Sequence, residues 1–281
     1  MHSDHIFTRA TATAGNPASM PKALAIFAHP DDETIALGAR LNRFQNAHLV
    51  HVTDGAPQNP QEARSHGFAS RDAYRSARAQ ELEHALHLAG LDTVSRECLG
   101  IQDQEASLHL VRLAQCITYL LRKHRPEVVF THPYEGGHPD HDACAFAVAH
   151  AVAAQKKRCE PVPLIVECAF YHAGLHGIET GTFLPQTFVL DEIMCPLTER
   201  ERENKEALLA CFVSQQSTLR YFTLDAERFR IASEHDFTQP PHPGPVFYDQ
   251  FPWGMTSSHF CDLAQRAAEA LENVESTVAC V

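Results

Sequence analysis

The chain has no pair of cysteines at CxxC spacing. Its nine cysteines, Cys98, Cys116, Cys144, Cys159, Cys168, Cys195, Cys211, Cys261 and Cys280, are odd in number and scattered. That argues against both a disulfide framework and a cysteine-built zinc site, and it suits a reducing, cytoplasmic setting. No run of about 18 apolar residues is present, so no bilayer span is expected. The first twenty residues also lack the apolar stretch of a secretory leader, and they read as a flexible lead-in up to Pro21. Positive charge is scarce: 23 lysines and arginines face 35 aspartates and glutamates, for a formal net charge of -12. Such a surface repels phosphate backbones and anionic membranes at long range, so nucleic acid is not an expected partner. Internal repeats and low-complexity tracts are missing as well. What is present is an ordinary globular composition, 44% hydrophobic and 21% charged over 281 residues, enough for one large α/β domain.

Apolar periodicity divides the chain into elements. Ala23–Ala28 is a short continuous apolar run of the kind buried on both faces of a parallel sheet. A turn at 29–33 follows, then a stretch with helical spacing (Ile35, Leu37, Leu41, Phe44). A second strand at Leu49–Thr53 ends in the turn signal Asp54-Gly55. Residues 56–70 read as loop, and 71–89 as a long helix stopped at Gly90. Further strands near Val94–Leu99, Val128–Thr131 and Leu164–Phe170 alternate with helices over 105–124 and 139–155. This alternation predicts βαβ units and an α/β fold: a Rossmann-like, mostly parallel sheet flanked by helices. From about residue 186 the order changes to a strand at 187–191, a helix at 197–213, a proline-rich loop at 239–245 and a last helix at 258–273. The reading is one domain over 22–281 with a C-terminal extension from about 186.

Open parallel sheets bind ligands beyond the carboxyl ends of their strands, and two clusters fall there. His29-Pro30-Asp31-Asp32-Glu33 follows the first strand; Gly136-Gly137-His138-Pro139-Asp140-His141 follows Val128–Thr131. A dinucleotide fold would carry GxGxxG at the first position, so that backbone can approach a pyrophosphate. Here the place holds two carboxylates and an imidazole, which repel phosphate and attract a metal. Either motif alone reads as a helix cap; the pair, at two strand ends, favours chemistry. Two imidazoles and one carboxylate are a usual ligand set for a catalytic zinc with a position left for water, and His29, Asp32 and His141 supply it. Asp31, beside a ligand but pointing elsewhere, suits a general base. Asp54 and His172 stand near strand ends as candidate pocket residues, and His132 reads as a turn residue. Glu227–Arg230 reads as a structural ion-pair segment. Arg78 and Glu81 have the spacing of a helical surface pair. Ser214 and Ser217 have no G-x-S-x-G context for a serine hydrolase.

AHPDDE after the first strand, with GGHPDH further on, resembles the PIG-L/LmbE family of zinc-dependent N-acetylglucosamine-type deacetylases. The resemblance covers roughly residues 22–250. Arg78-Ala-Gln-Glu81 with Gly90, and Leu99-Gly-Ile-Gln-Asp103, fall where that family has an RxxE helix and a strand-end aspartate. It implies one Zn2+ per chain on His29, Asp32 and His141, with Asp31 as general base and His138 meeting the charge on the carbonyl oxygen. Arg78 and Asp103 would touch sugar hydroxyls, and Asp140 would orient a neighbouring imidazole. One departure stands out: some members carry a tyrosine where this chain has Gly136, which leaves Tyr134, Glu135 or no residue to cover that role. The implied activity is metal-dependent hydrolysis of an N-acyl group, with acetyl expected, on a small amino-sugar-like substrate, and a homo-oligomer is compatible with it. Two other classes use similar residues: a metal-dependent phosphoesterase, and a non-catalytic binding protein on the same fold.

Overall fold

The computed structural model describes residues 2–12, 20–175, 177–185 and 192–279. The chain runs through α1 (His2–Thr11), β1 (Ala23–Phe27), α2 (Asp32–Leu37), β2 (His48–Pro57), α3 (Pro60–Ser65), α4 (Arg71–Leu88), β3 (Ser95–Asp103), α5 (Leu110–His124), β4 (Val128–Thr131) and α6 (Pro139–Lys157). It continues through β5 (Leu164–Cys168), β6 (Tyr171–Gly174), β7 (Gly177–Thr180), β8 (Glu192–Pro196), α7 (Glu199–Leu209), α8 (Gln216–Leu219), β9 (Ala226–Ile231) and α9 (Ser257–Ala279). Strands pair in the order β3-β2-β1-β4-β5-β9-β8. The first five in that order are parallel, and β9 and β8 add on antiparallel.

The unbroken apolar run of β1 follows from its central place. Ala23, Ala25 and Phe27 pack into a core shared with α1, α2, α4 and α7; Leu24 and Ile26 face a second core built with α5, α6 and α9. Strand side chains alternate between faces, so a strand covered on both sides must be apolar throughout. The expected α/β architecture is therefore present: a mainly parallel sheet with a helical layer on each face.

Three expectations change. The lead-in is not free chain at 2–11: Ile6, Phe7 and Ala10 of α1 are buried in the first core. That amphipathic face is only three residues wide, too small to register as an apolar run. The segment 56–70 is not all loop. β2 reaches Pro57, and α3 begins after Asn59, whose side chain accepts the Gln61 N–H at 3.0 Å, with Pro60 in the first turn. The stretch after 186 is no appendage, because β9 and β8 complete the sheet edge. The strand expected at 187–191 lies outside the described residues. Among the described residues no helix is long and apolar enough to cross a membrane.

Candidate active site

β1 is where the sheet order reverses. The chain leaves it for β2 and β3 on one side, and β4 and β5 lie on the other. Loops that part at such a point open a crevice at the strand ends, and both histidine clusters border it. After β1, Asp31 takes φ 143°, a region that side chains rarely adopt. The conformation is held from several sides. The Asp31 N–H donates to Glu33 Oε2 at 3.1 Å, and Glu33 is anchored on His51 at 2.9 Å. Arg78 donates to the carbonyls of Pro30 (2.8 Å) and Gly55 (2.9 Å) and stands 3.3 Å from the Asp31 carboxylate. Gly55, with φ +66°, is needed here, since a Cβ would come within 2.9 Å of the Pro30 ring. Asp31 makes no side-chain cap on α2; its carboxylate is turned into the cleft instead. Burial pushes the Asp31 carboxyl up to about 8, against the opposing pull of the Arg78 guanidinium.

The second cluster opens α6. His138 is its N-cap: Nδ1 accepts the Asp140 N–H at 3.1 Å. The imidazole proton must then sit on Nε2, which lies 3.9 Å from Asp103 Oδ1. Burial, followed by the charge on His29, holds the His138 pKa well below the usual histidine value, so the ring is neutral and presents an N–H. Asp140 is fully buried and accepts backbone N–H groups of Gln104 (2.7 Å) and Ala106 (2.9 Å), which ties α6 to the chain after β3. It also stands 3.3 Å from His29 Nε2, so the imidazole it orients is His29.

Between the clusters, His29 Nδ1 lies 3.3 Å from Asp32 Oδ2, His29 Nε2 lies 3.0 Å from Asp103 Oδ1, and His141 Nε2 lies 3.5 Å from Asp32 Oδ1. One donor atom from each of His29, Asp32 and His141 falls within 4.8 Å of the others. The set fits a divalent cation on two grounds. Asp31, Asp32, Asp103 and Asp140 converge with Arg78 as the one arginine among them, and His141 Nε2 is buried without a hydrogen-bond partner. His132 is a packing partner rather than a turn residue. Its Nε2 accepts the Ala28 N–H at 2.9 Å, and its ring stacks on His141 at 3.8 Å, which holds the His141 ring in place.

A comparison with known proteins agrees with this geometry. The family profile described as PIG-L, GlcNAc-PI de-N-acetylase, matches residues 24–152, a stretch that holds both clusters. A curated relative, the probable N-acetyl-alpha-D-glucosaminyl L-malate deacetylase 2 of Bacillus cereus, is 32% identical over 144 residues, 50% of this chain. The match spans 64% of that relative's length, less than two thirds of it. Among solved structures, the deacetylase of teicoplanin biosynthesis superposes with a TM-score of 0.57 at 20% identity, over 76% of this chain and 100% of that one. The N,N'-diacetylchitobiose deacetylase of Pyrococcus horikoshii does so with a TM-score of 0.53 at 20% identity, over 89% and 98%. At such identity the structural likeness shows a shared fold.

The matched stretch supplies the charged floor of the cleft, and later segments wall it. The cleft, with a volume of about 150 Å³, is lined by His29, Asp31, Asp32, Arg78, Asp103, His138 and His141 from that stretch. Tyr171, Gln215, Leu219, Phe222 and Trp253 come from beyond it. The single tryptophan sits 4.9 Å from the His138 ring and stacks on Phe251 at 4.6 Å. Sequence reasoning passed over these walls because no spacing marks them; the lone tryptophan was their one visible cue. It chose His172 where the structure offers Tyr171, and the alternation of β6 turns His172 away. Asp54 does not line the cleft: Arg71 holds it at 2.6 Å. Glu81 does not pair with Arg78; it accepts the Ser214 N–H and hydroxyl, both at 2.7 Å. At Gly136 no side chain fits, since a Cβ would meet Val246 at 2.5 Å. Neither neighbour reaches the cleft from there. Tyr134 donates to the Gln239 carbonyl at 2.8 Å, and Glu135 pairs with Arg230 at 3.0 Å. Tyr171 does line the cleft, 5.3 Å from the His141 ring.

Proposed function

We propose that this chain is a metal-dependent hydrolase that removes an N-acetyl group from a small amino-sugar-like molecule. The convergence of His29, Asp32 and His141, with donor atoms within 4.8 Å, carries this reading. The names of its relatives and structural neighbours, deacetylases of an N-acetylglucosaminyl malate, of N,N'-diacetylchitobiose and of teicoplanin biosynthesis, support it. His29, Asp32 and His141 would hold one divalent ion, with zinc the expected metal for such donors. Bound there, it supplies Lewis acidity to polarise an amide carbonyl and acidify water.

The protein's own groups do the rest. Asp31 accepts a proton from the attacking water, its carboxylate turned into the cleft beside the donor set. The same group returns the proton to the departing amine. The His138 Nε2–H meets the charge that develops on the carbonyl oxygen. Arg78, its guanidinium already shared among Pro30, Gly55 and Asp31, positions the base. Asp103 offers a carboxylate to substrate hydroxyls, and Trp253 and Tyr171 offer flat walls to the apolar face of a sugar ring. A site that hydrogen-bonds hydroxyls rejects analogues lacking them by orders of magnitude.

The test compares N-acetylglucosamine derivatives, their deoxy analogues, N-acetyl amino acids and acetylated polyamines, with amine release read out and metal content measured on the same sample. Sugar amides are expected to turn over in the metal-loaded protein and not in the stripped one. Turnover of amino-acid or polyamine amides alone would overturn the sugar assignment. Metal-loaded protein inert to every amide would overturn the hydrolase.

A further inference from the structure

At the end of the sheet opposite the cleft, a second set of donors is assembled that the proposed reaction does not use. His48 opens β2, Glu97 lies on β3 and His124 closes α5. Parallel pairing sets His48 beside Ser95, two residues before Glu97. His48 Nε2 stands 2.8 Å from Glu97 Oε1, and its Nδ1 stands 2.7 Å from the Ser95 hydroxyl. The His124 imidazole stacks on that of His48, with centroids 4.0 Å apart and planes at 20°. One donor atom from each of the three side chains falls within 4.8 Å of the others. His48 is buried, whereas the Glu97 side chain keeps 36% of its surface, so the group is walled behind and open in front.

We propose that His48, Glu97 and His124 form a second divalent-cation site, separate from the cleft, for a late first-row transition ion such as Zn2+, Co2+ or Ni2+. Two imidazoles select such ions over magnesium or calcium, which want oxygen donors. A hydrogen bond from His48 Nδ1 to Ser95 leaves the Nε2 lone pair facing Glu97, the arrangement that orients histidine ligands in metal sites. A plain His48–Glu97 ion pair would account for those two residues but not for His124, whose Nε2 is shut off from solvent without a hydrogen-bond partner. Buried polar atoms are rarely left so. Stacked rings present their in-plane lone pairs side by side, so a tilt of the half-buried His124 ring brings both to one ion. The C-terminal carbonyls of α5 add a favourable field for a cation. Parallel register sets His48 beside Leu24, five residues before His29, which puts the two donor sets roughly 17 Å apart along the strands. An ion here would clamp β2, β3 and α5 together, so its effect falls on stability rather than on turnover.

The experiment uses the full chain stripped with chelator and titrated with Ni2+ alone, with stoichiometry and melting temperature as readouts. It stands apart from the proposed function because neither readout is activity. His124→Ala should lose one equivalent of Ni2+ relative to wild type, or bind it more than about tenfold more weakly. Glu97→Gln, on a partly exposed side chain, should weaken the same equivalent and serves should His124→Ala fail to fold. In an Asp32→Ala chain that equivalent should persist, and Ni2+ should still raise the melting temperature. Unchanged stoichiometry and affinity in His124→Ala, or in Glu97→Gln, would overturn the site.

Discussion

At the scale of single residues, two side chains separate holding a metal from using it. Asp31→Asn keeps the shape of the strained turn and its contact with Arg78 but loses the proton acceptor. Metal content should stay at the wild-type level while kcat falls by about 10²–10⁴-fold; near wild-type turnover in the loaded variant would remove Asp31 as base. His138 has two roles in the structure, N-cap and N–H donor, and the choice of variant can part them. Asparagine is a good N-cap, so His138→Asn should melt close to wild type. Its kcat should fall by about 10²–10³-fold, the usual cost of a lost oxyanion donor, with KM changed much less. A rise in KM alone would mark His138 as a binding residue. The donor set itself was legible because HPD recurs at two strand ends. The contribution of Arg78 was not, since its partners are backbone carbonyls of Pro30 and Gly55, which no residue pattern encodes.

At the scale of elements, Asp140 is the joint. Its two carboxylate oxygens take the N–H groups that follow β3 while it stands in the first turn of α6. Asp140→Ala would strand one buried and one partly buried donor, at about 1–3 kcal/mol each, less for the partly buried one. A loss of about 2–5 kcal/mol in urea unfolding is the expected outcome, with Asp140→Asn, which keeps one acceptor, losing less. Equal stability of Asp140→Ala and wild type would show that the joint carries no load. The elements around this joint were also the readable ones. β1 and β4 are buried throughout, and burial writes itself into composition as unbroken apolar runs. β6, β7 and β9 were missed for the opposite reason. They are short, partly exposed and antiparallel, and β9 carries Glu227, Arg228 and Arg230 among its six residues. Those charges are affordable in a strand only because each meets a partner from another element: Arg40 and Lys205 for Glu227, Glu167 and Glu135 for Arg230. Pairing across 22 to 187 residues leaves no periodic trace.

For the whole molecule, that buried charge predicts a pH response. Burial pushes the Glu135 carboxyl up to about 7, against the pull of Arg230, which it shares with Glu167. An ordinary glutamate titrates near 4.5, so between about 4.5 and 7 the folded state binds a proton that the unfolded state has released. Stability from this group is therefore full below about 4.5, declines as pH rises through the window and levels off above about 7, with a slope of at most ~1.4 kcal/mol per pH unit. Glu135→Gln should remove that slope from a series of urea melts, and parallel curves for the two proteins would refute it. The place of α1 bears on how the molecule is made. Its apolar face seats against β4 and β5, and the Thr11 carbonyl is met by the Cys195 thiol, 184 residues further on. At ribosomal speeds of roughly 5–20 residues per second, about 8 to 30 s pass between the emergence of α1 and that of β5. Through that interval Ile6 and Phe7 lack part of their native cover, which makes the nascent helix α1 a place for a holding chaperone to grip until the strands it belongs to have been synthesised.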